Sequence, residues 1–283
     1  IIAFYKTLKK RKRLEQIGLL HDGQIYDLQT AEALNIKGDI IKADDSKESL
    51  EILRHSCAHM MAQAIKELYP EAKFFVGPVV KEGFYYDFKV ESKISDEDLP
   101  TIEKKMKEIA DRKLPITRHE TTKEEFYEKF KNDELKQAVL KNIKDDTLTI
   151  YKQGDFEDLC RGPHLPNTRM IRSFKLTRVA GAYLGGDEKN EMITRIYGIA
   201  FFDKQALFDY TKMIEEAKKR DHRKLGTELE LFTFNDDVGA GLPMWLPNGA
   251  RLRSKLEHLL YKAHRVRGYE PVRGPEILQS EMW

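Results

Sequence analysis

From Asp45 to Tyr69 the chain carries one sustained helical pattern, and that pattern limits how the rest can be arranged. Asp45-Ser46 offers an N-cap, with Glu48 three residues past Asp45 as a capping-box partner. Pro70 ends the helix, because proline has no N–H to donate and its ring clashes with the preceding turn. At about 100° per residue, Leu50, Leu53, Cys57, Met60, Met61, Ala64 and Leu68 share one apolar face. His55 and His59 fall together on another face, roughly opposite. The apolar face demands a covering layer, and the histidine pair is set apart from it.

The flanking sequence supplies that layer as strands. Lys73–Val80, a Glu82-Gly83 turn and Phe84–Phe88 read as strand, turn, strand. Residues 96–112 and 122–143 are helical by pattern. Thr147–Tyr151 reads as a strand, and Lys175–Tyr183 and Met192–Phe202 flank a Gly185-Gly186-Asp187 turn. A charged helix is expected from Asp203 to about Lys224, with new material from Leu229. Helices and antiparallel strands segregated in this way predict an α+β fold. Residues 1–44, with a hairpin turn at Asp22-Gly23, are too few for a core of their own and read as a small accessory segment.

Composition excludes some classes. Hydrophobic residues make up 41% and charged residues 34% of 283, and no apolar run approaches the ~20 residues of a membrane span. The apolar start, Ile1 to Tyr5, gives way to Lys and Arg too soon for a signal peptide. Cys57 and Cys160 cannot make a disulfide framework, so a reducing, cytoplasmic setting is expected. Basic residues gather at Lys9–Arg13, at Lys218–Lys224 and more loosely between Arg251 and Arg273. Each alone is a solvated helix face; three together raise the prospect of a polyanionic partner.

Two local features carry chemistry. Histidines at i and i+4, as in His55-Ser56-Cys57-Ala58-His59, project from one helix face toward a shared ion or substrate. In Cys160-Arg161-Gly162-Pro163-His164 the Gly-Pro pair forbids a helix, so a turn displays Cys160 beside His164, preceded by the acidic Asp155-Phe156-Glu157-Asp158. The set His55, His59, Cys160, His164 has the ligand types of a tetrahedral zinc site, although its pairs lie far apart in sequence. Ser56 stands where a His-Glu-x-x-His peptidase would need glutamate, which disfavours that class. Cys57 belongs to the core by helical phase.

The strings RHSCAHMMAQAIKELYP, FFVGPVVKEGFYYDF, DFEDLCRGPHLPNT, RVAGAYLGGDEKNEMITRIYGIAF and EEAKKRDHRKLGTELELF resemble, in this order, the editing domain and linker helix of bacterial threonyl-tRNA synthetases. The paired HxxxH and CxxxH motifs are also similar to the alanyl-tRNA synthetase editing domain; GFYYDF, CRGPH and RDHRKLG point to the threonyl family. Residues 241–283 look like the entry to a class II catalytic domain, with Pro275 at the motif 1 proline. The resemblance implies the N-terminal portion of such an enzyme: an accessory segment at 1–44, an editing domain at 45–202, a linker helix at 203–228, and the start of the aminoacylation domain at 229–283.

It further implies an editing pocket of His55, His59, Lys136, Cys160 and His164, with Tyr86 and Asp158 binding substrate. The implied substrate is serine wrongly esterified to the 3′ acceptor end of tRNA(Thr), because one methyl group separates threonine from serine by only about 1–3 kcal/mol in a pocket. Editing would need no cofactor, whereas ATP, magnesium and a catalytic zinc belong to the full-length, homodimeric ligase. The alternatives are a zinc-dependent hydrolase using the four His and Cys residues, and a non-catalytic tRNA-binding fragment.

Overall fold

The computed structural model describes residues 15–141, 143, 147–235, 237–239 and 241–274. The basic run at Lys9–Arg13 and the motif 1 proline, Pro275, lie outside the described residues. Two compact units are present, divided between Asp209 and Tyr210. The architecture is α+β, and among the described residues every strand pairing is antiparallel.

The first unit opens with β1 (Gln16–His21), β2 (Gln24–Asp27), helix α1 (Leu28–Ala33) and β3 (Asp39–Lys42). These strands form a sheet in the order β2-β1-β3. Asp22 and Gly23, both at positive φ (49° and 76°), make the tight turn that matches strand twist. The small sheet has no separate interior: Ile17 and Ile41 join the core of the central helix.

That helix is α2 (Lys47–Leu68), and from Ile52 to Ile65 it is buried almost all round. Its N-cap is Ser46, without a side-chain cap bond. The expected Asp45–Glu48 capping box is absent, because the Asp45 carboxylate instead accepts from the backbone N–H groups of Phe202 (2.7 Å) and Asp203 (3.3 Å). Tertiary donors outcompete the local ones.

The apolar face of α2 packs on a sheet of five strands: β4 (Lys73–Phe74), β5 (Val79–Val80), β6 (Gly83–Lys89), β10 (Ser173–Tyr183) and β11 (Met192–Phe201). Their order is β10-β11-β6-β4, with β5 attached to β6. The single strand expected over 73–80 is two short ones, interrupted around Gly77-Pro78. A Cβ on Gly77 would sit 2.4 Å from the Tyr86 ring, so glycine lets the backbone pass this aromatic closely. Helix α3 (Leu99–Arg112) covers the same core, its Ile102, Met106 and Ile109 fully buried.

A third sheet comprises β7 (Ile116–Thr122), β8 (Thr147–Gln153) and β9 (Phe156–Leu159), in the order β7-β8-β9. The acidic stretch 155–158 is therefore mostly strand, returning from β8 through Gly154 at φ +63°. The single helix expected over 122–143 is α4 (Lys123–Lys129) and α5 (Glu134–Lys141). Asp133 breaks it: its carboxylate accepts from the N–H groups of Leu135 and Lys136, each at 3.1 Å, and so starts a new helix.

Asp221 acts likewise further on, dividing the expected 203–224 helix into α6 (Lys204–Lys219) and α7 (His222–Glu228). In the second unit, beyond Tyr210, α7 is followed by a hairpin of β12 (Phe232–Phe234) and β13 (Pro243–Trp245), then by α8 (Pro247–Arg265). The basic run at 218–224 is largely matched by neighbouring acids, in the pairs Lys219–Glu216, Arg223–Asp221 and Lys224–Glu228.

Candidate active site

The His55–His59–Gln63 row of α2 faces the third sheet. Gln153 on β8 donates to the Gln63 side-chain oxygen at 2.6 Å, and the Phe156 ring on β9 meets His59 edge to face at 6.3 Å. Directly beyond β9, the turn Cys160–His164 brings its two side chains to the same place. The Cys160 Sγ lies 3.2 Å from both His55 Nε2 and His164 Nε2. His164 packs between the pair, its ring centroid 4.3 Å from each histidine. One ligand atom from each of the four residues falls within 4.8 Å of the others.

A second chain of groups adjoins this cluster. Asp158 projects from β9 into the interior and accepts hydrogen bonds from Tyr86 Oη on β6 and Lys136 Nζ on α5. All three side chains are buried, and the Tyr86 ring lies 6.2 Å from His59. The helix start made by Asp133 aims Lys136 inward. The seven side chains named from the sequence thus converge, although they come from α2, β6, α5, β9 and a turn. A cavity of about 260 Å³ borders Lys136 and Asp158, with Lys66, Phe74, Lys129 and Phe130 also in its lining; the four His and Cys residues and Tyr86 lie behind that lining. A larger hollow of about 780 Å³, lined by Tyr261, His264, Tyr269 and Pro271 among others, lies in the second unit and holds none of these groups.

Burial governs the protonation of the cluster. It lowers the pKa of His55 to about 4, partly opposed by backbone hydrogen bonds to Pro163 and Gly162 and by the charges of Asp158 and Asp27. His59 falls to about 3 through burial and the neighbouring His55, and His164 is also pushed well down, by burial and by both other histidines. Burial raises the Cys160 thiol. At neutral pH the site therefore holds three neutral imidazoles and a thiol.

The tautomer of His164 follows from its neighbours. The Ser56 hydroxyl donates to the Ile52 carbonyl (2.9 Å) and accepts from the Leu165 N–H (2.8 Å). With its proton used, it accepts from His164 Nδ1 at 3.2 Å. The proton sits on Nδ1, and the Nε2 lone pair points at Cys160.

Three supporting residues are not singled out by sequence reasoning. Ser56 enters there only as the residue replacing a glutamate. Tyr151, on β8, packs its ring 4.5 Å from that of His164. Asp27, at the end of β2, accepts from Tyr151 Oη (2.6 Å) and from the His164 N–H (3.1 Å). A signal for Asp27 does exist in the sequence as an N-cap, since its Oδ1 also accepts from Thr30 N at the start of α1.

Residues 148–197, which include Asp158, Cys160 and His164, match a domain of aminoacyl-tRNA synthetases, the family described as the threonyl and alanyl tRNA synthetase second additional domain. Over nearly its whole length the chain is similar to threonine–tRNA ligases. It is 67% identical over 269 residues to that of Campylobacter jejuni, covering 95% of this chain and 44% of the relative. The Campylobacter lari ligase is 72% identical over 240 residues, covering 85% and 40%. For Helicobacter hepaticus the identity is 65% over 269 residues, covering 95% and 44%. The chain belongs to the threonine–tRNA ligase family and spans less than half the length of these relatives.

Proposed function

We propose that the site hydrolyses the ester linking serine to tRNA(Thr), as the proofreading activity of a threonine–tRNA ligase. The observation that carries this reading is the meeting of neutral imidazoles with the buried Tyr86–Asp158–Lys136 chain, whose Asp158 and Lys136 border a small cavity. Ester hydrolysis needs an oriented water, a proton acceptor and charge stabilisation for the tetrahedral intermediate. A neutral histidine of the pair His55 and His59 takes the proton of the attacking water. As the C–O bond to the ribose breaks, that proton goes to the departing ribose hydroxyl. Asp158 and Tyr86 hold the serine ammonium and hydroxyl, and Lys136 balances the developing negative charge. Cys160, kept as a thiol, contacts His55 and His164 rather than attacking.

In the same reading, residues 45–202 form the editing domain, 203–228 the linker helix, and 229–283 the start of a class II aminoacylation domain. Ligation with ATP and magnesium, a catalytic zinc, and homodimer formation belong to the whole enzyme, working in the cytoplasm where tRNA is charged. Among the described residues no helix is long and apolar enough to cross a membrane.

The deciding experiment compares deacylation of Ser-tRNA(Thr) and Thr-tRNA(Thr) by this chain and by a His59→Ala, Cys160→Ala double variant. Selective loss of serine, abolished in the variant, is expected. Equal rates on both substrates, or an active double variant, overturn the reading.

The donor set favours a second reading, in which His55, His59, Cys160 and His164 hold zinc. Imidazole nitrogens and a thiolate are the ligands zinc takes in tetrahedral sites, and the ion would supply a Lewis acid for the water. Stoichiometric zinc in the purified protein, with activity lost to a chelator and restored by the metal, would replace the metal-free mechanism.

A further inference from the structure

The Cys160–His164 turn is held from outside its own sheet. The Asp27 carboxylate, buried at the end of β2, receives three donors: Thr30 N on Oδ1 at 2.7 Å, and Tyr151 Oη and His164 N on Oδ2 at 2.6 and 3.1 Å. Thr30 Oγ1 lies 3.0 Å from Tyr151 Oη, and since the phenol proton goes to Asp27, the threonine hydroxyl is the donor. Gly162 closes the arrangement. It adopts φ +76°, and a Cβ there would lie 2.6 Å from Tyr151 Oη and 2.8 Å from Asp27 Oδ2.

We propose that Asp27 is a positioning residue for the hydrolytic site, through which the small β1–β3 sheet fixes the Cys160–His164 turn against the His55–His59 pair. This rests on the hydrolytic reading above. One oxygen holds the backbone of His164. The same oxygen orients the phenol of Tyr151, whose ring packs on the His164 imidazole. Backbone and ring of one residue are thereby set by a single carboxylate, and Ser56 fixes the ring's tautomer from the other side.

The position requires an acceptor without donors. An asparagine amide in place of this carboxylate would aim its NH₂ either at the Thr30 N–H or at the Tyr151 and His164 donors, and so lose one set. Misplacing a reacting group by about 1 Å costs up to about a hundredfold in rate, whereas substrate binding at Asp158 and Tyr86 is untouched.

The test uses the whole 283-residue chain. Ser-tRNA(Thr) deacylation is measured for Asp27→Asn and for Ile17→Ala, a substitution in the core of the same small sheet, with rates corrected for folded fraction. Asp27→Asn is expected to lower kcat about tenfold or more at unchanged KM, while Ile17→Ala lowers the melting temperature and leaves kcat in place. An equal kcat loss in Ile17→Ala, or an unaltered kcat in Asp27→Asn, overturns the proposal. Amide hydrogen exchange reads it independently of activity: in Asp27→Asn the His164 and Leu165 amides should exchange faster while those of β8 and β9 do not. If the unsubstituted chain deacylates nothing, the hydrolytic reading falls. Unchanged exchange at His164 would then sink the positioning role as well.

Discussion

Lys136 and Asp158 form a buried ion pair, their side chains only 4% and 3% exposed, and the carboxylate also accepts from Tyr86 Oη and from the Leu159 N–H. Removing one member of a buried pair leaves the other charged and desolvated, which costs about 3–5 kcal/mol. Lys136→Met should therefore destabilise the first unit by that order, read from urea midpoints. A Lys136→Met, Asp158→Leu double variant should recover much of the stability and none of the deacylation. Recovery of both would show that the pair serves the fold alone.

Stability should fall on mild acidification. His55 and His59 are held at about 4 and about 3 in the folded state, against an ordinary 6.5. As pH falls below about 6.5 the unfolded chain takes up protons that the folded chain refuses, so the stabilisation present at neutral pH is progressively lost toward about pH 4. Urea midpoints compared between about pH 7.5 and pH 5.5 should drop, and His59→Gln should flatten the dependence. A midpoint constant over this range would mean that the imidazoles protonate freely in the native state.

Ser56→Ala removes the acceptor for His164 Nδ1. The ring should then sample both tautomers, visible in imidazole nitrogen shifts, and deacylation should fall about tenfold, somewhat less than proton-transfer groups themselves contribute. An unchanged tautomer would place the control of that proton elsewhere.

Gly162→Ala meets two obstacles at once, the left-handed backbone and the overlap with Tyr151 and Asp27. Left-handed strain alone costs about 1–3 kcal/mol. The variant should unfold at a lower urea midpoint and lose activity by more than its stability loss explains, because the turn itself must shift.

Legibility in the sequence follows the distance over which each feature is encoded. His55 and His59 share a face because helical spacing puts them there, and Cys160 and His164 share a turn because Gly162-Pro163 cannot be helical. Both facts need only neighbouring residues. Asp133 and Asp221 break two expected helices by a mechanism equally local, side-chain capping, which the hydrophobic pattern hides. Lys136 is different: within an amphipathic, charged helix nothing local separates it from its exposed neighbours, and only the approach of β9 supplies the Asp158 partner that permits its burial.

The sequence by itself determined the α+β character, the central helix with its apolar stripe, and the residue types of the site, because periodicity, turn chemistry and capping act over a few residues. Tertiary structure decided that the histidine face of α2 is also covered, so that burial rather than solvent sets its protonation. It also decided that a carboxylate from the small N-terminal sheet, Asp27, completes the turn of Cys160 and His164. Those outcomes depend on which strands pack across the helix, a long-range choice made by the whole core.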